Sequence, residues 1–277
     1  MVFTASSCRL LYQMRAIASA VKIACDNKSA VVFQIACTYS PNTLNVGSVP
    51  HDWRVANICP LFKKGDRSIA INYRPISLTS VVCKLLEHIV CSNIMDHVDS
   101  FSILSEYQHA FRKFRSCTTQ LCHVINDWAS NIDSGLQTDA FIIDFAKAFD
   151  KVPHERLKSK LNSYGISGLT LRWIDSFLCH RKQRVVVKGT CSVWADVEAG
   201  VPQGTVLGPI LFSLFINDIV HDVSPDTVIR LFADDCICYR TVTSLADCDI
   251  LQRDINSLAS WADTWLMDFA PSKCKTM

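Results

Sequence analysis

Leu231-Phe232-Ala233-Asp234-Asp235-Cys236-Ile237-Cys238-Tyr239 sets two adjacent carboxylates between two apolar runs rich in strand-forming side chains. Two such runs joined by a short polar break read as a β-hairpin with the aspartates at its tip, where charge is solvated as it is not inside a strand. Adjacent carboxylates repel, and a divalent cation with oxygen ligands offsets the repulsion. Asp also favours ordinary surface turns, so the pair acquires chemical meaning only if a second acidic site accompanies it.

Ala140-Phe141-Ile142-Ile143-Asp144-Phe145 supplies one. An apolar run of strand length that ends on an acid is what a buried strand delivering a carboxylate would look like. Asp144 also reads as the N-cap of the helix-like stretch that follows, which explains the acid but not its place inside an apolar run. Asp150, just before Lys151-Val152-Pro153, suits a cap or turn better. If the Asp144 strand lies beside the hairpin, three carboxylates converge, and two metal ions about 3.5–4 Å apart could clamp the attacking and leaving oxygens of a phosphoryl transfer. Between the two acidic sites lies Ala199-Gly200-Val201-Pro202-Gln203-Gly204-Thr205-Val206-Leu207-Gly208-Pro209, ahead of the apolar run 210–219. It reads as a backbone loop opening a buried helix, with glycines that permit close approach and an amide at Gln203.

In that order, these blocks resemble the reverse transcriptases of non-LTR (LINE-like) retrotransposons. The resemblance runs from about Val49 onward. It also includes Asp52-Trp53-Arg54, Ile58 with Cys59-Pro60-Leu61-Phe62-Lys63-Lys64-Gly65-Asp66, Asn72-Tyr73-Arg74-Pro75-Ile76-Ser77-Leu78, Gln108-His109-Ala110-Phe111-Arg112 and Pro271-Ser272-Lys273-Cys274. The resemblance implies that Asp144, Asp234 and Asp235, with the backbone carbonyl of Phe145, hold two Mg²⁺ ions, Mn²⁺ being a possible substitute. It implies that Phe149 stands under the sugar of the incoming nucleotide, where a flat ring excludes a 2′-hydroxyl; Phe149 as plain core is the alternative. Lys64 and Arg74 match phosphate-holding positions, Gln203 and Gly204 lie against the nucleotide, and Lys273 resembles the lysine that protonates the pyrophosphate leaving group. The implied partners are an RNA template, a DNA primer or target and deoxynucleoside triphosphates, in the nucleus and cytoplasm. No targeting run marks a compartment, and the oligomeric state is open.

Periodicity suggests three helices: around Leu85, Leu86, Ile89 and Ile94; around Leu121, Ile125, Trp128 and Ile132; and around Leu251, Ile255, Leu258, Trp261 and Trp265. These stripes read as core. Strands are expected at 183–188 and 193–198. The fold class is therefore α+β: reverse-transcriptase fingers and palm, with a ferredoxin-like palm and helical fingers threaded through it. Residues 1–47 read as a poorly matched remnant and 48–277 as one domain with interleaved fingers and palm. A thumb and an endonuclease domain, expected of the family, have no counterpart in the sequence.

A chain of 277 residues, 49% hydrophobic, is long enough to bury a sizeable core. Its net charge of +2 is small for a nucleic-acid binder. Two local clusters supply what the total lacks: Arg112, Lys113 and Arg115 beside Phe111 and Phe114, and His180, Arg181, Lys182 and Arg184. Either is a candidate track for template or primer phosphates, a solvated face being the alternative for the second. Fourteen cysteines are scattered without zinc-ligand spacing, no signal peptide opens the chain, and they read as reduced, small core residues. No apolar run reaches the roughly 20 residues of a membrane helix. Ala110 stands where the family has glycine, which matters only if the position needs a positive φ. The expected function is an RNA-directed DNA polymerase domain adding deoxynucleotides to a primer 3′-hydroxyl; the alternative is a catalytically silent nucleic-acid-binding fragment or relic.

Overall fold

A computed structural model describes residues 43–277, so the remnant expected at 1–47 falls almost wholly outside the described residues. The chain divides into two compact units. The first comprises described residues up to Val98, 161–198 and 202–208; the second comprises 99–160, 199–201 and 209–277.

The first unit is built on β1 (Val55–Phe62) and β2 (Tyr73–Leu78), an antiparallel pair. Most of helix α1 (Val81–Ser100) also belongs to it. In the second unit follow α2 (Cys117–Asp133), β3 (Gln137–Asp144) and the short α3 (Ala148–Lys151). Helix α4 (His154–Ser163) leads to α5 (Gly168–Leu178), then β4 (Arg181–Val187), β5 (Thr190–Cys191) and β6 (Ala195–Val197) of the first unit. Helix α6 (Leu207–Ile216), β7 (Thr227–Phe232), β8 (Asp235–Val242), α7 (Leu245–Trp265) and β9 (Lys275–Thr276) complete the chain.

The first unit's sheet runs β2-β1-β4-β5, with β6 also on β4 and a parallel β1–β4 pairing. The strands expected at 183–188 and 193–198 form here as β4 and β6, whereas β1 and β2 had no counterpart in the expectation of helical fingers. The second unit's sheet is antiparallel throughout, in the order β7-β8-β3-β9. Helix α2 starts in a capping box: Thr119 N–H donates to Ser116 Oγ at 3.1 Å and Ser116 N–H to Thr119 Oγ1 at 2.9 Å. At the start of α7, Ser244 N–H donates to Asp247 Oδ2 at 3.0 Å.

One face of the second sheet packs on α2 through Val124, Ala140 and Tyr239, with the Trp128 ring edge-on to Tyr239. The expected core stripe of α2 is corrected here. Of that stripe only half-buried Trp128 meets the sheet, beside Val124, whereas Leu121, Ile125 and Ile132 are exposed. The other two stripes hold: Leu86, Ile89 and Ile94 are buried in α1, and Leu251, Leu258 and Trp261 in α7. Helix α6 is apolar all round, and Leu207, Leu211, Phe212, Leu214 and Phe215 are wholly buried. Every described cysteine is free. Cys83, Cys236 and Cys238 are buried as expected, but Cys59, Cys117, Cys122 and Cys191 are exposed, so the core reading covers only part of them. Among the described residues, no helix is long and apolar enough to cross a membrane.

Candidate active site

The hairpin forms as its sequence suggests. Phe232 pairs with Asp235, and the turn consists of Ala233 and Asp234 alone. Ala233 takes a φ of +57°. A positive φ at the first turn residue only is the sign pattern of a type II′ turn, whose twist suits a two-residue hairpin. Asp235 opens β8 and faces Asp144, the last residue of β3, in the register of the antiparallel pair. Opposed residues send their side chains to the same side of the sheet, so the two carboxylates share the face on which α2 packs.

Like charges opposed across a ladder are destabilising. Lys273 offsets part of this: its Nζ donates to Asp144 Oδ1 at 2.8 Å. The main chain brings it there. Ala270 N–H donates to Asp144 O and Ala146 N–H to Asp268 O, each at 2.7 Å, and the chain then turns so that Lys273 N–H reaches Ala270 O. These bonds flank the Phe145–Phe269 bridge. In such a bridge the N–H and C=O of the central residue point to the other edge, so the Phe145 carbonyl turns toward the side of β8. The Phe145 ring is buried against Phe269, with centroids 5.0 Å apart, and Trp261, at 6.3 Å.

Asp144 is thus a strand end and not an N-cap; Lys147, at φ +54°, holds the cap position of α3. Phe149 lies in that helix, half-buried and stacked on Phe212 at 4.5 Å. Its carbonyl accepts from Val201 N–H at 2.7 Å, and Gly200 beside it packs against the Asp150 backbone. Behind Asp235, burial pushes the Cys236 thiol far up, which keeps it protonated.

Gln108 opens the Gln108–Arg112 block, and its residue type alone suggests no role there. The structure gives it one. Its side chain is fully buried, and its Oε1 accepts from Ala110 N–H at 2.9 Å and from Ala233 N–H at 3.1 Å. The segment around it runs along β7, Leu231 N–H donating to Tyr107 O and His109 N–H to Leu231 O. Gln108 therefore fixes the residue immediately before Asp234. Its partner is remote in sequence, and no local pattern signals it. Ala110 is buried and has no positive φ, so its methyl group places no strain on the backbone.

The other candidate residues lie in the first unit or in the basic runs. Lys64 sits in the loop between β1 and β2, and Arg74 is the β2 residue opposite Leu61; both are exposed. Gln203 O accepts from Ser77 N–H at 2.8 Å, and a Cβ on Gly204, at φ +90°, would stand 3.1 Å from Ser77 O. The same loop is held at its far end by Glu87, a wholly buried carboxylate that accepts from Val206 N–H at 2.7 Å and Leu207 N–H at 3.1 Å. Burial raises the pKa of Glu87 and the two N–H bonds oppose the rise. Glu87 too was missed, because its role as a cap for α6 comes from another helix. Arg181 is corrected as a phosphate contact: it is 3% exposed and donates to Phe177 O at 2.9 Å. Its run leaves Lys182 and Arg184 at or near the surface, Arg184 lying over the Trp194 ring. Among the described residues, no three His, Cys, Asp or Glu side chains stand as a ready metal cluster. The carboxylates and the Phe145 carbonyl are nonetheless all hard oxygen donors, the kind a divalent cation such as Mg²⁺ takes.

A family model described as reverse transcriptase (RNA-dependent DNA polymerase) matches residues 62–277. The chain is 30% identical over 244 residues to a probable RNA-directed DNA polymerase from transposon BS of Drosophila melanogaster, covering 83% of this chain and 26% of that protein. It is 30% identical over 241 residues to the RNA-directed DNA polymerase from mobile element jockey of the same species, covering 84% and 26%. The probable polymerase from transposon X-element is 30% identical over 230 residues, covering 81% and 25%. The chain thus spans about a quarter of the length of these relatives. In fold, it is similar to apo telomerase from Candida tropicalis, with a TM-score of 0.60 at 12% identity, covering 83% of this chain and 51% of that one.

Proposed function

Because the chain belongs to the reverse transcriptase family, among relatives from non-LTR retrotransposons, we propose that it is the polymerase region of such an element, extending a DNA primer on an RNA template. The observation that carries the reading is the gathering of Asp144, Asp234 and Asp235 at one end of one antiparallel sheet, with Lys273 on Asp144. With the Phe145 carbonyl, these aspartates would hold two divalent ions, Mg²⁺ or Mn²⁺. Such ions, when bound, stabilise charge on the primer oxygen and the departing pyrophosphate.

The remaining roles belong to side chains. Lys273 holds a proton at Nζ and would give it to the leaving pyrophosphate. Phe149, braced on Phe212, would exclude a 2′-hydroxyl. Lys64 and Arg74 would bind triphosphate oxygens, and Gln203 and Gly204 would contact the nucleotide. Arg112, Lys113, Arg115 and Lys182 would follow the nucleic-acid backbone. The nucleus, where target DNA lies, is the expected place of work.

Primer extension on poly(rA)/oligo(dT) with Mg²⁺ tests the reading. Incorporation by the wild-type chain that Asp234→Asn abolishes, with the fold intact by circular dichroism, supports it. Undiminished incorporation by Asp234→Asn sinks it.

A further inference from the structure

Beyond the segment that runs along β7, residues 111–115 read Phe-Arg-Lys-Phe-Arg, and the last two, Phe114 and Arg115, line a cavity of about 420 Å³ together with Glu106, Tyr107, His123 and Arg230. Two features of this edge suit a ligand better than the folded chain alone. Phe114 holds a φ of +59° and its residue surface is 100% exposed. A bulky residue in the left-handed region is strained, and a ring wholly in water returns no packing energy for it.

The second feature is Arg115. Its Nη1 donates to His109 Nε2 at 2.8 Å and to Glu106 O at 3.2 Å. A guanidinium has no acceptor, so Nε2 of His109 must present a lone pair. Nδ1 faces Thr119 Oγ1 at 3.0 Å, and that hydroxyl gives its own proton to Ser116 O at 2.8 Å, so Nδ1 carries the ring proton. His109 is neutral, with its pKa pushed down to about 4 by burial first and then by the Arg115 charge. Arg115 is therefore held in place by neutral groups, and no carboxylate among the described residues forms an ion pair with it. Arg230 in the same wall differs, its charge being met by Asp127 at 2.8 Å. Arg112 resembles Arg115, donating to the carbonyls of Ser105 and Gln108.

We infer that Phe114 and Arg115 form a subsite for one nucleotide of a single-stranded nucleic acid, the base stacking on the Phe114 ring and its phosphate lying on the Arg115 guanidinium. The chemistry selects the ligand. A fixed guanidinium without an ion pair asks for an anion, and an exposed ring asks for a flat apolar face. In a duplex, neighbouring pairs cover that face; in a single strand it is free. The subsite adjoins the acidic tip through the same main chain, since Gln108 bonds Ala233. This deepens the polymerase reading by naming a contact for its nucleic acid, and its test measures binding without synthesis, so the two fail separately.

The experiment is fluorescence anisotropy of the full 277-residue chain with fluorescein-labelled dT12 and rU12 over a range of salt. Phe114→Ala is expected to bind about tenfold more weakly, the size of one lost base–aromatic stack, with an unchanged salt slope. It should melt no lower than wild type, because the ring makes no supporting contact in the free chain. Arg115→Gln is expected to reduce the salt slope by about one. A Phe114 effect confined to rU12 assigns the subsite to the template, and one confined to dT12 to a DNA strand; either supports it. Wild-type affinity of Phe114→Ala for both oligonucleotides overturns the inference and leaves the Asp234→Asn result untouched.

Discussion

Asp144 and Asp235 stand directly opposite each other across β3 and β8, two like charges at one rung of an antiparallel ladder. The Lys273 ammonium on Asp144 is an internal counter-ion for this pair. It should compete with any cation the carboxylates bind. Lys273→Met is therefore expected to raise the affinity of the free chain for Mn²⁺ several-fold, as measured by the loss of free Mn²⁺ signal in electron paramagnetic resonance. Both partners are partly exposed, so stability should change by no more than about 1 kcal/mol. Weaker Mn²⁺ binding by the variant would show that Lys273 does not act as the competing cation.

Gln108→Met keeps the volume of the side chain and removes the acceptor of two buried N–H groups. Leaving such donors unsatisfied costs about 1–3 kcal/mol. Urea unfolding should show that loss, and amide exchange at Ala233 should accelerate ahead of exchange in the middle of β8. Unchanged exchange at Ala233 would mean that the turn holds its shape without the clamp.

Gly200 is at φ +93°, and a Cβ there would lie 2.7 Å from Asp150 O. The obstacle is backbone, which has no flexible end to swing away. Gly200→Ala is expected to destabilise by about 2–4 kcal/mol, combining left-handed strain with the clash. Gly189, at φ +84° with nothing within 4 Å, provides the comparison. Gly189→Ala should carry the strain alone, about 1–2 kcal/mol. Equal melting temperatures for the two variants would count against the close approach of residues 150 and 200.

His109 makes stability depend on acid. Its pKa, ordinarily near 6.5, is pushed down to about 4 in the fold by burial and the Arg115 charge. The unfolded chain thus binds the proton more readily between these values, so this contribution is complete above about pH 6.5 and is lost as pH falls toward 4. Urea midpoints at pH 7, 6 and 5 should fall more steeply for wild type than for His109→Gln. Parallel slopes would contradict the neutral, buried imidazole.

The parts of the site that were legible in the sequence are those whose physics is local. Strand period and a terminal acid mark Asp144, and two residues between apolar runs mark the Asp234 turn. Helix α2 shows the limit. Leu121, Ile125, Trp128 and Ile132 have helical spacing and look like a core stripe, yet only Trp128 of the four meets the sheet, beside Val124, and spacing alone does not say how far the helix is rotated about its axis. Strands β1 and β2 were hidden by Pro60 and Pro75, which ordinarily argue against a strand. They oppose each other, and pairing of β1 with β4 ends at Ile58, so Pro60 lies beyond the stretch where β4 would require its N–H. Gln108 and Glu87 were invisible for another reason: each acts on a backbone N–H more than a hundred residues away.

The interleaving of the two units governs how this protein can be dissected. The chain passes between them at 98–99, 160–161, 198–199, 201–202 and 208–209, the last of these inside α6. Neither unit is a contiguous stretch that a protease or a shortened gene would release whole. Deletion mapping would leave broken halves of both, so loss of function in a truncated chain would say nothing about which residues had carried it. Single substitutions, or a rewired chain order that joins the pieces of one unit directly, are the tools this connectivity permits.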